Sequence, residues 1–118
     1  MNQPFASPVE VIRNLGSLTA KMDSIVANLR EAEHRAAEAN AEATVAEAQA
    51  FLKAEGAMDV RRFKAKMDAR GPLLTAELAD VEVRCLKREL QSVMTRIEVG
   101  RTYAATVRAE LTNLPGVG

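Results

Sequence analysis

Three sets of side chains in this 118-residue chain have types that could do chemistry. His34 is the only histidine, and Glu31, Glu38 and Glu42 lie within about two helical turns of it. Metal centres of helical bundles use a Glu-x-x-His unit on each of two facing helices, and here the second histidine is missing. A solvated histidine among surface carboxylates is therefore expected, and no metal site. Cys85 is the only cysteine. A reactive thiol needs a base and an electropositive, partly exposed setting. Arg84, Lys87 and Arg88 supply charge, but no histidine is available unless folding brings His34 close. Cys85 sits on an apolar stripe, so a buried, inert thiol is expected. A lone cysteine can neither close an internal disulfide nor build a zinc centre, which fits a reducing compartment.

The third set is basic: Arg61, Arg62, Lys64, Lys66 and Arg70. From Lys53 to Gly71 six basic residues stand against three acidic ones, whereas residues 1–52 carry four basic and seven acidic. Such a cluster could contact the phosphates of a nucleic acid. Only Phe63 is interleaved with it, so a solvated helix face, or pairing with the acidic first half of a neighbouring subunit, is the competing expectation. The chain has no Gly-rich phosphate loop and no serine or cysteine with a nearby histidine. No catalytic residue, cofactor or small-molecule substrate is expected.

The elements that must position these residues are two long helices. Ser7-Pro8-Val9-Glu10 is a capping box with proline at the first helical position, and it predicts a helix over 7–53. Its apolar seam is Val11, Leu15, Leu18, Met22, Ile25, Leu29, Ala32, Ala36, Ala39, Ala43, Ala46 and Ala50. Gly56 is expected to cap this helix in a left-handed conformation. A second seam runs Ala76, Ala79, Val83, Leu86, Leu90, Val93, Ile97, Gly100, Ala104, Val107, Leu111 and Leu114, predicting a helix over 72–113 ended by Leu114-Pro115-Gly116. Steps of three and four alternate throughout, the 3.5-residue period of a coiled coil. Residues 57–70 form the connector, with Asp59 capping a short helix that carries Val60, Phe63 and Met67 on one face. Met1 to Ala6 reads as extended, with Pro4 blocking an earlier start.

These elements predict an all-α fold: a long antiparallel, coiled-coil-like helical hairpin with a short connector helix at its tip, one domain over 1–118. Pairing positions that sum to 125 or 126 sets small residues against large ones, Ala36 against Leu90 and Ile25 against Gly100, which keeps packed volume constant. Leu74, Leu78, Val81 and Cys85 form a further stripe, for which the connector helix is the expected cover, another subunit being the alternative. Aromatics make up 3% of the residues, and much of both seams is alanine, so a lone hairpin buries little large apolar area. A dimer or higher assembly follows as the expectation, most simply two hairpins forming a four-helix bundle. Ile12, Val26, Met94 and Tyr103, which flank the main seam with Val99, are the expected interface.

Sixteen basic and sixteen acidic residues balance, so no net charge draws the whole chain to nucleic acid or membrane. Neither a signal-like N-terminus nor an apolar run of spanning length is present; a cytoplasmic location is expected, with no membrane contact.

The runs Ala54-Glu55-Gly56-Ala57-Met58-Asp59-Val60-Arg61 and Thr95-Arg96-Ile97-Glu98-Val99-Gly100-Arg101 resemble small helical proteins of actinobacterial bacteriophages. The resemblance implies an early or accessory phage protein in the host cytoplasm, and assigns no functional residue. In length the hairpin is also similar to the small secreted partners of mycobacterial type VII secretion. It departs from them: there is no Trp-x-Gly turn, and Val107 stands where that family's signal would place an acidic residue after Tyr103. The expected function is a non-enzymatic, homo-oligomeric module that binds another protein, the alternative being a nucleic-acid accessory protein working through the basic connector.

Overall fold

The computed structural model describes residues 7–112. The expectations for Met1–Ala6, Asn113, Leu114 and the terminator that follows lie outside them. The capping box forms as its residue types require. The Ser7 amide donates to Glu10 Oε2 at 3.3 Å and the Glu10 amide to Ser7 Oγ at 3.2 Å. Helix α1 then runs Pro8–Lys53. Gly56 turns the chain with a φ of 112°, a conformation that L side chains rarely adopt. Helix α2 covers Met58–Asp68 and α3 covers Arg70–Thr112. The described residues are helical with short links, and α1 and α3 pack against each other as a helical hairpin.

Two details of the links differ from expectation. Ala57, not Asp59, is the N-cap of α2, and it makes no side-chain cap. Asp59 sits inside the first turn and accepts from the Val60 amide at 3.0 Å. The break between the connector helix and the second long helix falls at Ala69, with α3 starting at Arg70 rather than Pro72. Pro72 lies in the first turn of α3, where amides lack intrahelical acceptors and the missing N–H costs nothing. Between the helices only Ala69 departs, at φ −93° and ψ 9°. The Ala69 amide still donates to Ala65 O at 2.9 Å and the Leu73 amide to Ala69 O at 3.0 Å. The first of these bonds closes the last turn of α2 and the second opens the first turn of α3, and Ala65, Ala69 and Ala76 are buried on either side of the joint.

The described residues divide into two compact units, 7–26 with 88–112, and Ala27–Lys87, each drawing on both arms. In the first, Ile25, Val93 and Ile97 form a buried cluster against which Leu15, Leu18, Met22 and Leu90 pack. In the second, alanine does the burying: Ala32, Ala36, Ala43, Ala65, Ala69 and Ala76 are all enclosed. Every seam residue of α1 is buried or half-buried, and so is every seam residue of α3 from Ala76 to Val107; Leu111 is exposed.

The register differs from the expected one. Gly100 faces Leu15, whose Cδ2 would lie 2.7 Å from an added Cβ, while Ile25 packs with Val93 and Ile97. In the second unit Arg35 pairs with Glu82 at 2.9 Å and Asn40 with Asp80 at 3.0 Å. Paired positions thus sum to 115 (15 and 100), 117 (35 and 82) and 120 (40 and 80), not 125. The physical reason is the turn. Because α2 pairs with the end of α1, with Arg61 against Phe51, the chain reverses at Ala54–Ala57 and α2 belongs to the returning arm.

Candidate interaction surface

The inward face of α2 carries Arg61, Ala65 and Ala69. Ala65 and Ala69 are 1% and 2% exposed. At this end the buried residues of the returning arm are alanines, and the half-buried Phe51 ring of α1 lies against Arg61. Val60, Phe63 and Met67 point outward, with Phe63 at 67% exposure. This corrects the expectation that they cover Leu74, Leu78, Val81 and Cys85. That stripe is itself exposed, Leu74 by 55% and Leu78 by 59%, and the Cys85 thiol is exposed rather than buried.

The basic residues of the connector do not act as one patch. The Arg61 guanidinium turns inward, 4.4 Å from the centre of the Phe51 ring, and donates to Phe51 O at 3.3 Å. Such stacking of a cation on an aromatic face fixes the side chain. Lys64 Nζ donates to Glu55 O at 3.4 Å, and Arg70 to Met67 O at 2.7 Å. Arg62 and Lys66 are exposed beside them.

Of the residues expected at an interface, Ile12, Val26 and Met94 are exposed in the first unit. Tyr103 is half-buried and lines an open groove of about 860 Å³ with Pro8, Val99 and Val107. Thr95, Thr102, Thr106, Glu98 and Glu110 complete that groove. Its lining has hydroxyls and carboxylates and no histidine, cysteine, lysine or arginine.

His34 is solvated and pairs with Glu38 one turn on, at 3.0 Å. Among the described residues no three of His, Cys, Asp and Glu are grouped to hold a metal ion, and no helix is long and apolar enough to cross a membrane.

The arrangement the sequence reading missed is the outward set Val60, Phe63 and Met67. Its signal was available. At 100° per residue these three share one helical phase with Leu74, Leu78, Val81 and Cys85, opposite the face of Ala65, Ala69 and Ala76. No protein-family model, curated protein or solved structure matches the chain.

Proposed function

We propose that this protein is a non-enzymatic helical module that binds protein, and first of all itself, two hairpins combining into a four-helix bundle. One observation carries the reading: large apolar side chains stay in solvent along both units. Ile12, Val26, Met94 and Val99 are exposed in one, and Val60, Phe63, Met67, Leu74, Leu78 and Val81 in the other. Extensive exposed apolar surface marks interaction sites on soluble chains. The seam points the same way. Leu15, Leu18, Met22, Leu29, Leu86 and Leu90 are only half-buried, because two helices alone cannot enclose a seam that a bundle of four would. The resemblance to phage accessory proteins of the host cytoplasm fits a small chain whose work is assembly. Sedimentation over a concentration series is the test. Reversible association supports the reading, and a monomer at every concentration rejects it.

A nucleic-acid role is the second reading, supported by the exposure of Arg62, Lys64, Lys66 and Arg70 on one segment. Arg61 is engaged with Phe51 and does not contribute to it.

A further inference from the structure

The outward stripe of the returning arm runs Val60, Phe63, Met67, Leu74, Leu78, Val81 and Cys85, with Arg70 at the one polar position in phase. Its steps of three and four continue in the sequence across Ala69, the single residue between α2 and α3. At 1.5 Å per residue it is about 38 Å long. It faces away from α1, because Ala65, Ala69 and Ala76 on the opposite side are buried. At about half of each side chain exposed, it offers on the order of 600 Å² of apolar surface, close to the share one partner brings to a standard interface. A 3.5-residue period over this length suits a helix lying along it.

We propose that this stripe is occupied by the same stripe of a second copy, running antiparallel about a two-fold axis near Leu74. The inference rests on the self-associating reading above and places the contact on the outward face of the returning arm rather than on the seam. Charge selects the occupant. In an antiparallel pair like flanks meet, and a residue faces the position that brings the two numbers to about 145. One flank carries Lys64 and Glu82, whose numbers sum to 146, although Glu82 also pairs with Arg35 of its own chain. The other carries Lys66 and Glu77, which sum to 143, and Asp59 and Arg84, also 143. Each pair is opposite in sign, as a self-complementary two-fold interface requires. A parallel pair would instead bring Lys64 against Lys66. The apolar positions match as well: Leu78 meets Met67, Phe63 meets Val81, and Cys85 meets Val60. Leu74 meets Gly71, at which an added Cβ would find nothing within 4 Å in its own chain. Ile12, Val26 and Met94 remain available to a different protein.

The native thiol makes the test direct. Val60 and Cys85 of one chain lie about 38 Å apart along the arm, too far for a disulfide between them. The full-length Val60→Cys variant, mildly oxidised, is therefore expected to form a covalent dimer on a non-reducing gel. Wild type, and Val60→Cys with Cys85→Ser, should stay at least tenfold below it. Leu78→Glu, at an exposed position, should keep its helical circular dichroism and weaken association more than tenfold. Lys66→Glu should weaken it by a smaller factor, and Lys66→Glu with Glu77→Lys should restore it. Cross-linking of wild type through Cys85 alone overturns the antiparallel arrangement. Association that survives Leu78→Glu but is lost when Val26 and Met94 become Glu overturns this surface while leaving the self-associating reading intact. A wild-type monomer at all concentrations overturns both.

Discussion

Gly100→Leu tests the register of the first unit. Gly100 stands in mid-helix at a seam position, and an added Cβ would come within 2.7 Å of Leu15 Cδ2 and 3.4 Å of its Cγ. Both atoms belong to a side chain that can turn, so a single methyl group is accommodated by a rotamer change of about 0.5–1.5 kcal/mol. That is offset by the roughly 0.8–1.0 kcal/mol gained when glycine leaves a helix interior, and Gly100→Ala should be close to neutral. Leucine brings three more carbons into the same space. Overpacking of that size costs about 1–3 kcal/mol, and the better helix former returns somewhat under 1 kcal/mol of it. A net loss of about 1–2 kcal/mol is expected in urea unfolding followed by circular dichroism at fixed protein concentration. Leu15→Ala in the Gly100→Leu background should recover stability, with a coupling of at least about 1 kcal/mol between the two sites. Ile25→Ala should show no such coupling, because Ile25 packs with Val93 and Ile97. Additivity with Leu15 and coupling with Ile25 would refute the register and return the pairing to a sum of 125.

Further outcomes follow from the turn, the arms and the connector. Gly56→Ala should cost about 1–3 kcal/mol in the same unfolding assay, since φ is 112° there and a Cβ makes that conformation strained. Asp80→Ala removes the acceptor of Asn40 Nδ2 at 3.0 Å; Asn40 keeps its bond to Ala36 O at 2.7 Å, so a loss of about 0.5–1.5 kcal/mol is expected. Glu82→Gln, whose ion pair with Arg35 is half exposed on both sides, should change stability by about 0–1 kcal/mol, and less at high salt. In fluorescence anisotropy with single- and double-stranded nucleic acid, wild type should show no saturable binding at physiological salt. Binding that falls steeply with salt and is lost in Arg62→Glu with Lys66→Glu would establish the second reading instead.

Both seams were legible in the sequence because a 3.5-residue period is a property of one helix and needs no partner to be read. Ser7 to Glu10 was legible for the same reason, since a capping box is local. The register was not. Pairing small with large residues is a sound rule for volume, but the second unit meets alanine with alanine, Ala65, Ala69 and Ala76 being buried in an arm rich in alanine. Gly71-Pro72 misled in a different way. Proline reads as a stop, yet in the first turn of α3 it replaces an amide that had no helical acceptor. With the break confined to Ala69, Val60, Phe63 and Met67 are exposed along with Leu74, Leu78 and Val81, and so is the Cys85 thiol. Arg61 could not be placed from sequence, because its contact with Phe51 exists only after the turn at Gly56 has been located.

Sedimentation equilibrium of the wild-type chain tests the central claim most directly. The account predicts a reversible rise in mass from the 12.8 kDa of a single chain to twice that value as concentration increases. A mass that stays at 12.8 kDa across the whole series, with the helical circular dichroism intact, would contradict it.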